Sequence, residues 1–260
     1  MIILIHTSKT MKAKTPDGVK LSKLEFSSEA IELAKYLKKL NGKSISDLMS
    51  ISPKLTIQTK EIIDNWSLDA SVQTTAVDTF VGDIYSGLQV DSWTQKDRIY
   101  AQENLRIISG LYGLLKPNDG IMPYRLEMGY RLNGNGFKNL YEFWSDKLAK
   151  TLPSSGKIIN VSADEYTKAI LPYIDKNRVI TPKFLTVSPK TGVPTFVVVH
   201  AKIARGAFAN WLIKQKAEDS LDLKKFDDLG YKYSKELSTH QQPVYVCQIF
   251  GGIGLSVRLK

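Results

Sequence analysis

Five short stretches of this 260-residue chain gather polar and charged side chains that a protein core does not require. Lys9-Thr10 follows the apolar run Ile2 to Ile5, where a lysine past a strand end can reach a phosphate or carboxylate. Gly82-Asp83-Ile84-Tyr85-Ser86-Gly87 reads as a tight turn presenting Asp83 and Tyr85; a structural Asx-turn accounts for the same residues. Pro123 to Gly129 carries Tyr124, Arg125 and Glu127. If that stretch is extended, Arg125 and Glu127 share one face, either as a plain salt bridge or as an anion clamp beside a carboxylate acid/base. Asn160 to Tyr166 places Asp164, Glu165 and Tyr166 after a strand; Ser162 suits an N-cap, and the two carboxylates suit either the helix dipole or a pocket. His200 to Ala207 takes a strand into a helix whose first turn would carry Lys202 and Arg205, cations that oppose the dipole unless an anion sits there.

If these strand ends converge, they form a mixed-charge pocket for an anionic or nucleobase-like ligand. Glu127 and Asp164, with Glu165 beside it, are then the acid/base candidates and the cations the clamp. A different signal lies at residues 44–65. Two short helices meet at Ser50-Ile51-Ser52-Pro53, with Ser52 as N-cap and Pro53 at the first helical position. Free amides at such a helix start, with Lys54 and Lys60 near, can hold a phosphate; a packed helical hairpin without a ligand is the alternative.

Several chemistries find no support. The histidines His6, His200 and His240 lack a second His or carboxylate at helical metal-ligand spacing, so neither a metal site nor a cofactor is expected. No Gly-x-Ser-x-Gly elbow, phosphate-binding Walker loop or Gly-x-Gly-x-x-Gly occurs, and Gly251-Gly252-Ile253-Gly254 reads as a turn or tail. The single Cys247 rules out an intramolecular disulfide and, in its apolar run, reads as a buried structural thiol. Neither a signal peptide nor an 18-residue apolar span is present, so a cytoplasmic protein without membrane association is expected.

The elements that must position these residues follow from periodicity. Helices are expected at about 27–40, 44–49, 53–66, 74–80, 95–108, 139–152, 163–171 and 203–216, and strands at 2–5, 157–161, 178–186, 195–200 and 244–250. Without repeats, linkers or regular βα alternation, the chain reads as one α+β domain over 1–260, a mixed sheet surrounded by helices. The net charge is +10, a polyanion-binder's sign, yet residues 61–130 hold 5 basic and 10 acidic side chains while 150–216 hold 11 and 3.

Taken together, the blocks Phe80 to Leu88, Ser109 to Leu132 with Pro-Tyr-Arg-Leu-Glu-Met-Gly, Leu140 to Trp144, Asp164-Glu165-Tyr166 and Ala204-Arg205-Gly206 resemble the bacterial YaaA-type peroxide-stress proteins. The resemblance covers nearly the whole chain. It implies a cytoplasmic protein that limits iron-driven damage under hydrogen peroxide, and an α+β fold with a helix-hairpin-helix-like element, placed here at 44–65. It also implies binding of duplex DNA, chiefly through phosphates, with Ser50, Ser52, Lys54 and Lys60 as candidates. One departure stands at the N-terminus: His6-Thr7-Ser8-Lys9-Thr10 replaces the family's usual Ser-Pro-Ala-Lys-Thr, keeping Lys9 and Thr10.

Overall fold

The structure, a computed structural model, describes residues 1–132 and 136–251; the expected tail at Gly252-Ile253-Gly254 lies outside them. Ile2–His6 is a continuous apolar run buried along its whole length, the pattern of a strand covered on both faces. It forms the centre of a five-stranded sheet in the order Gly113–Leu115, Leu105–Ser109, Ile2–His6, Ile158–Asn160, Val179–Ile180. All pairings are parallel except the Gly113–Leu115 hairpin strand. The chain leaves the central strand, pairs first on one side with Leu105–Ser109, then crosses to Ile158–Asn160 on the other. Connections that depart in opposite directions leave a crevice at the strands' carboxyl ends, where ligands bind in open parallel sheets.

A second sheet orders Pro194–Thr195, Lys183–Val187, Val244–Cys247 and Tyr231–Ser234 and buries Cys247. Against Lys183–Val187 of this sheet runs the longest helix among the described residues, Val198–Lys214, which also packs against the short helix Asp83–Leu88. Glycines permit the approach. A Cβ on Gly206 would lie 1.8 Å from the Ile84 carbonyl oxygen, and one on Gly87 would lie 2.0 Å from that of Ile203. The fold is therefore α+β, with helices around mixed sheets.

Several element limits differ from expectation, each for a nonlocal or conformational reason. The helix expected over 95–108 stops at Asn104; Leu105–Ser109 is a strand because its Ile107 and Ile108 complete the sheet beside the central strand. The strand expected over 195–200 is only Pro194–Thr195; the exposed Val198 and Val199 form the first turn of a long helix whose burial begins at Ala201, and that packing overrides their β-propensity. Lys202 and Arg205 thus lie in its second and third turns, past the N-terminus. Ser145, at φ 44°, breaks the expected 139–152 helix into Leu140–Trp144 and Lys147–Lys150. The expected 178–186 strand divides at Thr181-Pro182 between the two sheets, and the 74–80 helix keeps only Ala76–Thr79. Residues 163–171 hold a helix only at Asp164–Thr167, capped at the Ala163 position, so Ser162 does not cap it.

Candidate active site

Three strand ends build the site. The central strand delivers His6 and Thr7, Leu105–Ser109 delivers Ser109, and Ile158–Asn160 leads to Ser162 and the Asp164–Thr167 helix. Over them lies the segment carrying Tyr124, Arg125 and Glu127. It comes this close because residue 110 is glycine: a Cβ there would sit 2.3 Å from the Leu126 carbonyl oxygen.

A chain of hydroxyls ties the parts together. The Tyr112 amide donates to Ser109 Oγ at 2.9 Å, Ser109 and the Tyr124 hydroxyl are 2.7 Å apart, and Tyr124 is bonded to Thr7. Thr7 Oγ1 donates to the Tyr166 hydroxyl at 3.4 Å, which donates to Glu127 Oε2 at 3.0 Å. Thr7 has one hydroxyl proton and gives it to Tyr166, so Tyr124 donates to Thr7 and Ser109 to Tyr124. Every bond in the chain therefore points toward the Glu127 carboxylate, and such aligned bonds polarise one another. Burial raises the Glu127 pKa, whereas the Tyr166 hydroxyl and the Lys9 charge hold it down. A carboxyl group under these opposed influences is suited to accept and return a proton.

His6 stands at the centre. Its ring stacks on Tyr166 with centroids 4.9 Å apart, its Nδ1 accepts the Ala163 amide at 3.1 Å, and its carbonyl accepts the Tyr85 hydroxyl at 3.1 Å. Burial, then the charges of Arg205 and Lys202, press its pKa down to about 3, so the imidazole is neutral. Asp164 lies within electrostatic reach of Arg205, while Glu165 receives the Gly129 amide at 2.8 Å.

Four cations surround these groups: Lys9 and Lys202, both exposed, and Arg125 and Arg205, both largely buried. Among the described residues none of the four forms a salt bridge. Arg125 Nε and Ser162 Oγ are buried without a hydrogen-bond partner. Arg205 makes no hydrogen bond among the described residues, and burial lowers its pKa. Within the same residues, no three His, Cys, Asp or Glu side chains stand close enough to hold a metal ion.

The structure thus brings Lys9, Tyr85, Tyr124, Arg125, Glu127, Asp164, Glu165, Tyr166, Lys202 and Arg205 to the carboxyl ends of the parallel strands. Thr10 stands off it, paired with Val81 in a two-stranded sheet. Asp83 opens the helix packed on Val198–Lys214. His6, Thr7 and Ser109 were not among the residues expected. The signal that could have found them is position alone, at the carboxyl end of the two apolar strands.

Far simpler is the hairpin of helices Gly42–Met49 and Pro53–Asn65, joined through Ser50 at φ 49°. Asn41 Oδ1 caps the Ser44 amide and Ser52 Oγ caps that of Leu55. Ser50, Ser52 and Lys54 are exposed, whereas Lys60 is tied to Asp64 and to the Lys38 carbonyl oxygen. Its helix-hairpin-helix character is not established by this geometry.

A family model described as "Peroxide stress protein YaaA" matches residues 1–237. The chain belongs to this family. Similar proteins include a "UPF0246 protein" of Salinispora tropica, 49% identical over 258 residues that cover 99% of this chain and 98% of the relative. Another, from Clostridium beijerinckii, is 39% identical over 96% of this chain and 98% of its own. The "UPF0246 protein RD1_0358" of Roseobacter denitrificans is 37% identical over 95% and 98%. Family membership makes a role in the response to peroxide the general function. Among the described residues no helix is long and apolar enough to cross a membrane.

Proposed function

We propose that this chain serves the peroxide response through an anion-binding, proton-transferring site at the carboxyl edge of its parallel sheet. Lys9, Arg125, Lys202 and Arg205 supply the positive field, and Glu127, oriented by Tyr166, is the acid/base. Asp164 lies within electrostatic reach of Arg205 without pairing with it. The observation that carries this reading is Arg205, largely buried and without a hydrogen bond or salt bridge among the described residues. A guanidinium withdrawn this far from water without a partner carries a cost, and an anionic ligand lowers it. The ligand is a small anion, nucleobase-like molecules with an acidic group included. Residues 1–260 act in this reading as one cytoplasmic domain, and lowering of unincorporated iron is an indirect outcome of the site's chemistry.

Native mass spectrometry of protein purified from peroxide-stressed cells tests this. A small anionic adduct is expected on the wild type and not on Arg205→Met. Bare wild-type protein under both stressed and unstressed growth would contradict the reading.

Duplex DNA is the second reading, favoured by the charge of the hairpin region: residues 35–60 hold six lysines against one aspartate. Phosphate contacts would come from Lys54, Lys43 and the exposed Ser50 and Ser52, with little reading of bases. The helix start contributes less than its sequence suggests, because Pro53 has no N–H and the Leu55 amide is already capped. Affinity for a short duplex should fall steeply between about 50 and 200 mM salt. Salt-independent binding, or none at low salt, would remove this reading.

A further inference from the structure

His6 differs from the other groups of the site because its two ring nitrogens are treated so differently. Nδ1 accepts the Ala163 amide at 3.1 Å, which fixes the proton on Nε2. The ring cannot turn away, since it is stacked on Tyr166 and only 8% of the residue is exposed. Nε2 has no hydrogen-bond partner among the described residues, nor is it a fully enclosed orphan like Arg125 Nε. Arg205 and Lys202 are the charges that act on the ring. A neutral N–H donor is thereby presented near two cations that form no salt bridge among the described residues.

We infer that His6 Nε2–H, Lys202 and Arg205 form an oxyanion subsite in which His6 is the residue that recognises a phosphoryl or carboxylate oxygen of the ligand. This rests on the anion-site reading above and names the group recognised. The division of labour is physical. The two cations supply charge that attracts any anion, while the fixed N–H selects an acceptor oxygen in one direction. A second cation in place of His6 would add charge without direction. A neutral ring instead donates the same hydrogen bond across the physiological range.

Two substitutions separate the ring nitrogens. Asn places an oxygen where Nδ1 lies, keeping an acceptor for Ala163 but reaching no further. Gln places its amide N–H near the position of Nε2. Inorganic phosphate and acetate, titrated separately into 15N-labelled full-length protein, serve as probes. The His6 Nε2–H resonance is expected to shift saturably with whichever oxyanion the site takes. His6→Asn should weaken binding about tenfold, the scale of one hydrogen bond to a charged group, and His6→Gln should stay within about threefold. Thermal unfolding of both variants establishes that they are folded. The tautomer is read on the wild type, independently of any variant.

The outcomes divide cleanly. If the wild type binds neither probe, the anion-site reading and the inference fall together. If it binds, and Arg205→Met abolishes binding while His6→Asn binds as the wild type does, the anion site stands and the role of His6 is overturned. A ring protonated at Nδ1, or titrating near the ordinary 6.5, overturns it as well.

Discussion

One helix, Val198–Lys214, carries two opposite treatments of positive charge. At its C-terminal end Lys214, with Lys216 just beyond, closes on Asp97, a buried carboxylate that also completes the capping box of Thr94. Its basic side chain there also complements the helix dipole. Earlier on the same helix Lys202 and Arg205 face the crevice beside a neutral histidine, with no ion pair among the described residues. The first arrangement is complete within the chain and explains itself as structure. The second is incomplete within the chain, and that incompleteness is what points to a ligand.

The largest expected effect breaks both ends together. Gly206→Ala places a methyl group against the Ile84 carbonyl oxygen and must push the helix off Asp83–Leu88. A loss of about 3 kcal/mol or more in chemical denaturation is expected, together with loss of anion binding. Next, the two ends should separate under single substitutions. Asp97→Ala removes the partner of two lysines that are themselves about a third exposed, and about 2–3 kcal/mol of stability should go, discounted from the fully buried case. Arg205→Met should leave stability within about 1 kcal/mol, or raise it, while abolishing anion binding. Equal destabilisation by both changes would mean that Arg205 is structural.

Acid gives a third contrast. The folded-state pKa of His6, about 3, lies below the unfolded value near 6.5, so the unfolded chain binds the extra proton between them. The contribution is intact above about pH 6.5 and is lost as pH falls, amounting to about 2 kcal/mol at pH 5. Urea titrations from pH 7 to 5 should show this slope in the wild type and not in His6→Gln. The smallest effect is expected at the hairpin. Lys54→Ala should change stability by less than about 0.5 kcal/mol and leave phosphate binding untouched, while any duplex affinity falls and its salt slope flattens by about one unit.

How much of this could be read in the residues depends on whether the information was local. Arg125 and Glu127, Asp164 to Tyr166, and Lys202 with Arg205 stand out because charge at a strand end is unexpected wherever it occurs. His6, Thr7 and Ser109 do not stand out, since each is one polar residue finishing an apolar run. Their importance comes from strands 100 and 150 residues apart being laid side by side. The same nonlocality misleads at Leu105–Ser109, where the helical pattern of the preceding turns runs on and only pairing with the central strand ends it. At Val198 to His200 the β-branched side chains point to a strand, yet Val198 and Val199 stay exposed and the burial that starts at Ala201 carries the helix back through them. The Ser52-Pro53 helix start was legible because a cap is a matter of three adjacent residues.

The central claim is that Arg205 is held for an anion and not for Asp164. A crystal structure of the wild-type protein grown with inorganic phosphate tests it most directly. The account predicts a phosphate oxygen within hydrogen-bond distance of the Arg205 guanidinium and of His6 Nε2. An Arg205 closed onto the Asp164 carboxylate, with no anion in the crevice, would contradict it.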